Sequence, residues 1–369
     1  MPQRDASSGR PADESQPDLF GMPEAVDAAA TAPEAPSTAK ARLVVPAALP
    51  DDELVELAAS LRQRFGDRLY LGTSSWYFPG WAGMVWAPGR HEQTDLSRHG
   101  LVAYAQHPLM RTVSLDRTFY RAIDAAAYAR HARQVPEDFR FLVKVPSEIT
   151  DATLREPESG APVAPNPHFL DPERTLDTTV RPGVAGLGAR LGAFVFQLPP
   201  LGWRWLKQPQ LLIDKLDALW SAVVPALPPG TLAALELRDA RVLTPALLEL
   251  LAAHRVRYCV GLHDRMPTMA EQARSVRAAG AGDFVCRWNL HQGLRYRQAK
   301  ERWEPFDRLQ APDPVTREAL ARAVIAALAD GHRAFVTINN KAEGSAPLSV
   351  IELARTILRL SGSPNDNAP

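Results

Sequence analysis

The stretch LAALELRD, residues 232–239, ends an apolar run with two opposite charges. In an extended chain, successive side chains point to opposite faces. Ala234, Glu236 and Arg238 therefore share one face, and Leu235 and Leu237 the other. A carboxylate and a guanidinium on one face of a buried strand suit the inner lip of a closed sheet, provided that other strands end the same way.

They do. From residue 69 a short apolar strand followed by a helical stretch recurs eight times. The strands read LYLGTS (69–74), TVSLD (112–116), RFLVKV (140–145), AFVFQL (193–198), ALELR (234–238), YCVGLH (258–263), FVCRWN (284–289) and RAFVTINN (333–340). Helical periodicity is clearest over 207–223, 244–256, 268–279, 314–331 and 348–361. Strand–helix alternation predicts parallel strands with right-handed crossovers, and eight units predict an α/β fold, a TIM-like (β/α)8 barrel. No glycine-rich dinucleotide fingerprint follows the first strand, which argues against an open doubly wound sheet. By alternation the inward strand ends carry Ser74, Asp116, Lys144, Gln197, Glu236 with Arg238, His263, Arg287 and Asn339. Each buried charge without a partner costs several kcal/mol, so eight polar ends at one rim point to a polar floor beneath a ligand.

The flanks are of another kind. Residues 1–48 are rich in Ala, Pro and acids and are expected to form a disordered arm. Residues 49–66 read as an amphipathic helix with Leu54, Leu57, Ala58 and Leu61 on one face, 67–362 as the barrel, and 363–369 as a disordered tail. The chain has 42 basic and 42 acidic residues, but seven of the acids and three of the bases lie in residues 1–40. The body is therefore mildly basic, roughly +4, which gives no general pull toward nucleic acid or membrane. Two cysteines, Cys259 and Cys286, fit a reducing compartment, and no apolar run suits a membrane span or signal peptide; a cytoplasmic protein is expected. The two cysteines fall on opposite faces of neighbouring strands, so no disulfide is expected between them.

Six motifs, GTSSWYFPGW (72–81), SLDRTFYR (114–121), FLVKVP (141–146), FVFQLPP (194–200), LELR (235–238) and NNKAEGSAP (339–347), resemble in order those of the YecE-like family, domain of unknown function number seventy-two. The resemblance covers about 69–360 and implies a TIM-like barrel without assigning an activity. Lys144, Gln197, Glu236, Arg238, Arg287, Asn339 and Asn340 match the family pattern. Asp116 stands where Asn is usual, His263-Asp264 where an Asp often ends the sixth strand, and RWNLHQG (287–293) replaces Arg-x-His-Gly.

The rim's chemistry follows from its residue types. Lys144, Arg238 and Arg287 suit an anion, which two guanidinium forks can hold bidentately. The turn with Lys341, Gly344 and Ser345 offers backbone amides as an anion cradle, or else simply turns the chain and caps the next helix. Glu236 and Asp116 are candidate general bases and His263 a proton shuttle. Lys144 would form a Schiff base if desolvated, though beside Glu236 it is expected to stay protonated. The neighbouring cations oppose a metal on Glu236, His263 and Asp116, so none is expected; the cofactor is left open. Trp76, Tyr77 and Tyr120 add rings for a base or sugar face, or else plug the barrel mouth. The excursions 147–183 and 290–313 are candidate lids.

In the arm, QPDLF (16–20) resembles the peptide by which bacterial repair and replication proteins dock on the sliding clamp, with Gln16 setting register and Leu19 and Phe20 as anchors. Three functions follow: an acid/base enzyme acting on a phosphorylated sugar or nucleotide-like anion, a clamp-recruited nucleic-acid factor or nuclease, and a non-catalytic ligand-binding barrel.

Overall fold

The computed structural model describes residues 45–47, 52–156 and 159–362. Apart from residues 45–47, the acidic arm with Gln16, Leu19 and Phe20 lies outside the described residues, as does the tail from 363. The strands are β1 (Leu69–Thr73), β2 (Met110–Leu115), β3 (Arg140–Lys144), β4 (Thr153–Arg155), β5 (Pro162–Pro165), β6 (Leu191–Leu198), β7 (Leu232–Leu237), β8 (Arg257–Leu262), β9 (Phe284–Trp288) and β10 (Ala334–Ile338). Eight of them close into a barrel in the order β1–β2–β3–β6–β7–β8–β9–β10, with β10 returning to β1. Every neighbouring pair around the barrel is parallel.

The breaks between elements are local chemistry. Pro146 and Pro199 follow β3 and β6 closely, and proline cannot donate to a central ladder. Helix starts are capped by side chains that take up free backbone N–H groups. Asp124 accepts from Ala127 N, Thr244 from Leu247 N and Asp313 from Thr316 N, while Thr268 and Glu271 form a reciprocal capping box. The helix expected over 49–66 spans Asp52–Phe65 and buries Leu57, Leu61 and Phe65; it packs on the C-terminal helix Ala346–Leu360.

Two apolar layers result from the alternation. Outward side chains such as Phe141, Val143, Phe194, Phe196, Leu235, Leu237, Val336 and Ile338 join the large core under the helices. Phe196 meets Trp220 edge to face at 4.7 Å. The inward set, Tyr70, Leu142, Ala193, Val195, Ala234, Cys259, Val285 and Phe335, fills the lower barrel. Tyr70 stacks on Phe335 at 4.6 Å, with the Arg111 guanidinium 4.9 Å from the Tyr70 ring, so the N-terminal end is plugged. Cys259 lies inside and Cys286 outside, and both are free.

Neither long excursion is a bare loop. The first contains the antiparallel hairpin β4–β5, absent from the sequence reading, and a helical run from Pro172 to Leu187. The second contains the helix Tyr296–Trp303 and its own small core of Leu290, Ala299, Trp303 and Phe306. That core reaches the loop after β1, where Phe306 meets Phe78 edge to face at 5.5 Å. It also reaches the loop after β10, where His291 N donates to Lys341 O at 2.8 Å. This segment therefore packs as a roof at the C-terminal end of the barrel.

Candidate functional site

Strand ends bring the polar groups together above the apolar floor. Gln197 and Glu236 are register partners on β6 and β7, and Arg287 pairs in register with Thr337 on β10. Gly261, the inward residue of β8 at this level, makes room for Glu236. A Cβ there would sit 3.2 Å from Glu236 Cγ. Lys144, Gln197, Glu236, Arg238, His263 and Arg287 are all buried, as are Ser74 and Asn339 beside them.

One continuous network links most of them. Arg287 donates from Nη1 to Glu236 Oε2 at 2.6 Å and from Nη2 to Asp116 Oδ1 at 2.6 Å and Oδ2 at 2.5 Å. Arg238 Nη2 lies 2.7 Å from Glu236 Oε1 and donates to Gln197 Oε1 at 3.0 Å. Asn289 Nδ2 donates to Glu236 Oε1 at 3.1 Å, and Ser114 Oγ to Asp116 Oδ1 at 2.6 Å. Asn289 did not figure among the expected site residues. It lies two residues beyond Arg287 on the same inward face, so the signal was present in the alternation.

The network changes the roles assigned from sequence. Burial alone would raise the Glu236 carboxyl, but Arg238, Arg287 and Lys144 together outweigh it and hold the pKa at about 2. With both oxygens bonded and so low a pKa, Glu236 is a poor general base and a good electrostatic anchor. Burial pushes the Lys144 ammonium well below its ordinary range; Asp116 opposes this, while Arg287 and Arg238 add to it. Glu236 also works against the lowering, as the smallest of the charges that act on the amine. Lys144 Nζ lies 3.7 Å from the centre of the Phe119 ring.

Several groups of the rim keep hydrogen-bonding capacity. Among the described residues, Arg238 Nε and Nη1 meet no hydrogen-bond partner although both are buried, and burial lowers the Arg238 pKa. His263 pairs through Nδ1 with Asp264, while its buried Nε2 meets no partner among the described residues. Burial, then Arg238, lowers the His263 pKa, which favours the neutral ring. Ser74 Oγ and Thr337 Oγ1 are likewise buried without a partner among the described residues.

The loop after β10 corrects the amide-cradle expectation. Lys341 N donates to Asn339 Oδ1 at 3.0 Å, Ala342 N to Asn339 O at 2.9 Å, Gly344 N to Asn340 O at 2.7 Å and Ala346 N to Asn340 Oδ1 at 2.9 Å. These amides are consumed by the turn itself. Gly344, at φ +114°, is held where a Cβ would sit 2.6 Å from Gln310 N, and Ser345 is buried. Asn340 Oδ1 also latches the loop, accepting from Trp81 Nε1 at 3.1 Å, while its buried Nδ2 meets no hydrogen-bond partner among the described residues. Lys341 lies under the roof, with Nζ 4.2 Å from the centre of the Tyr296 ring. Burial first, then Lys300, brings its pKa down to about 7.

The rings divide between packing and surface. Trp76 is buried edge-on against His131 at 5.4 Å, Tyr77 stacks on Phe78 at 5.7 Å, and Tyr120 is exposed. Among the described residues no cluster of three or more His, Cys, Asp or Glu side chains is disposed to hold a metal, and no helix is long and apolar enough to cross a membrane.

Residues 70–367 match the model of the family described as Protein of unknown function DUF72. Among solved structures, a DUF72 family protein from Enterococcus faecalis is 16% identical, with 82% of this chain and 98% of that chain covered and a TM-score of 0.53. A DUF72 family protein from Thermotoga maritima is 18% identical, with 80% and 99% covered and a TM-score of 0.50. At such identities the likeness extends to the fold alone. No curated protein matches the chain.

Proposed function

The chain belongs to the DUF72 family, and from the geometry of its barrel mouth we propose that it is an enzyme acting on a small anionic substrate of the phosphorylated-sugar or nucleotide-like class. One observation carries the reading. Arg238 is buried with two N–H groups unpartnered among the described residues, while the nearby carboxylates Asp116 and Glu236 are already engaged by guanidiniums. An unsatisfied buried guanidinium is costly, and a phosphate or carboxylate would supply the missing acceptors.

In this reading Arg238, with Arg287 behind it, holds the anion, and Gln197 orients the Arg238 fork. Glu236 and Asp116 keep both guanidiniums in place. His263 carries protons: its Nδ1 is tied to Asp264, leaving Nε2 as the exchanging atom. Ser74 Oγ and Thr337 Oγ1 are further polar atoms for the substrate.

The test is thermal unfolding with matched pairs of phosphorylated and unphosphorylated sugars and nucleosides. A ligand present at a hundred times its Kd should stabilise the protein by about 2.7 kcal/mol. Arg238→Met should abolish that gain. Equal effects of phosphorylated and unphosphorylated partners would refute the proposal.

A second reading, a nucleic-acid-associated factor recruited to a sliding clamp through Gln16, Leu19 and Phe20, is favoured by one surface feature. Trp203, just after β6, is 68% exposed with Lys207 Nζ 4.8 Å from its ring centre, an arrangement suited to stacking on a base beside a phosphate. Salt-dependent binding of single-stranded DNA that Trp203→Ala weakens would favour it.

A further inference from the structure

The hydrogen-bonding atoms left open at the barrel mouth differ in kind from one side to the other. At the ends of β7 and β8 they are Arg238 Nε and Nη1 and His263 Nε2. At the ends of β9, β10 and β1, consecutive around the barrel, they include Asn289 Oδ1, Thr337 Oγ1 and Ser74 Oγ, all neutral and buried. Backbone bonds hold this neutral arc together. Asn339 N donates to Trp288 O at 2.8 Å, and Ser74 N to Ile338 O at 3.0 Å. Because β7 and β1 lie on opposite sides of the ring of strands, the Arg238 fork and the hydroxyl of Ser74 face each other across the mouth.

Asn289 decides what kind of ligand group the arc takes. Its Nδ2 donates to Glu236 Oε1 at 3.1 Å and to Arg287 O at 3.0 Å. Both partners can only accept, so the amide cannot be turned end for end, and Oδ1 is a buried acceptor that needs a donor. An ionised phosphate or carboxylate brings acceptors alone; it suits Arg238 and leaves Asn289 unanswered. A hydroxyl group donates to Asn289, and it can both donate to and accept from Thr337 and Ser74. A nucleobase amino group would also donate, but a base is held by lying on a ring face. The rings after β1 are spent on the protein itself. Trp76 stands edge-on to His131 at 5.4 Å, Tyr77 stacks on Phe78 at 5.7 Å, and Phe78 meets Phe306 edge to face at 5.5 Å.

We infer that the substrate carries its anionic group on a hydroxylated carbon chain, as a sugar phosphate or sugar acid does, and that Asn289, Thr337 and Ser74 read the hydroxyls. The inference rests on the anion-site reading, since the anionic group is what Arg238 would hold, and it excludes the nucleotide-like half of that class. Selectivity follows from the cost of leaving buried polar atoms unpaired. Each neutral hydrogen bond denied to them lowers affinity by about two- to tenfold. An alkyl chain in place of the polyol denies all three.

The test is isothermal titration of the full-length protein with ribose 5-phosphate against pentyl phosphate, gluconate against hexanoate, and AMP. In at least one pair the polyol should bind about tenfold or more tightly than its alkyl partner, and AMP should bind more weakly than ribose 5-phosphate. Which pair responds tells phosphate from carboxylate. Thr337→Val removes a hydroxyl that makes no hydrogen bond among the described residues, so it should fold like the parent. It should cut the preference for the polyol by about two- to tenfold and leave the Kd of the alkyl partner unchanged. Asn289→Leu should cut the preference further; if the loss of its bond to Glu236 unfolds that variant, Thr337→Val carries the test. Equal binding of polyol and alkyl partners, tighter binding of AMP than of ribose 5-phosphate, or an unchanged preference in Thr337→Val overturns the hydroxyl reading and leaves the anion site standing. If neither the phosphates nor the carboxylates bind, both readings fall together.

Discussion

Replacing Glu236 with glutamine removes one charge and almost no volume, so it isolates what the carboxylate does for the buried network. Arg287 approaches Glu236 at 2.6 Å and Arg238 at 2.7 Å, and Asn289 adds a hydrogen bond at 3.1 Å. At an effective dielectric near 20, each close charge pair is worth about 4 kcal/mol of attraction, against which several kcal/mol of carboxylate desolvation must be set. The amide keeps one acceptor oxygen but turns an NH2 toward one of the guanidiniums, so donor meets donor. Two buried cations then share Asp116 as their remaining carboxylate. Breaking a buried pair from one side costs about 3–5 kcal/mol, a large part of the roughly 5–15 kcal/mol that holds a domain folded. Urea unfolding at neutral pH should show that loss as a fall in Cm at unchanged slope. If uncompensated charge is the cause, Glu236→Gln combined with Arg238→Met should be less damaging than the sum of the two single changes by about 1 kcal/mol or more. A loss below about 1 kcal/mol, or strict additivity, would refute the claim that Glu236 anchors the two guanidiniums.

Three other outcomes follow from buried groups. Burial lowers His107 from its ordinary 6.5 to about 4, and burial with Arg117 and Arg130 lowers His131 to about 3. The unfolded chain therefore takes up these protons first, so stability is full above pH 6.5 and is lost as the pH falls below it, by about 3 kcal/mol per histidine at pH 4.5. Urea midpoints at pH 7.5 and 4.5 should diverge, and His131→Phe should narrow the gap. For Lys341 the window lies higher: its pKa falls from 10.5 to about 7, so the native state resists a proton that the unfolded chain accepts, and stability rises from pH 7 toward 10.5. Lys341→Met should stabilise the protein by about 4 kcal/mol near pH 7 and by progressively less as the pH approaches 10, read from denaturant midpoints across that range. Finally, thiol titration of the denatured, unreduced protein should find both Cys259 and Cys286, which the structure places on opposite faces of β8 and β9. A single reactive thiol, or none, would contradict the strand register.

How far each feature could be read from the chain depends on how local its physics is. Side-chain alternation is a property of a strand's own backbone, so Leu235 and Leu237 outside, and Ala234, Glu236 and Arg238 inside, were legible before any partner strand was known. Eight apolar strands separated by helical periods left few topologies open, and proline and capping residues marked the breaks. The hairpin β4–β5 was not legible because its strands are short and Pro-rich, held by pairing with each other rather than by an apolar pattern.

The sequence by itself therefore determined the barrel, its inward face and the presence of charge at one rim. Only the tertiary structure decided what those charges do. Arg287 on β9 joins Glu236 on β7 across Gly261 and reaches Asp116, 171 residues away at the end of β2, because closing the sheet brings the first strands beside the last. That pairing engages both carboxylates and lowers the basicity of Glu236. The same closure turns the amides of residues 341, 342, 344 and 346 inward onto Asn339 and Asn340, where the linear pattern alone suggested a cradle for an anion. Protonation and hydrogen-bond capacity depend on the distances between charges and on the exclusion of water, and both are set only when residues far apart in the chain are brought together.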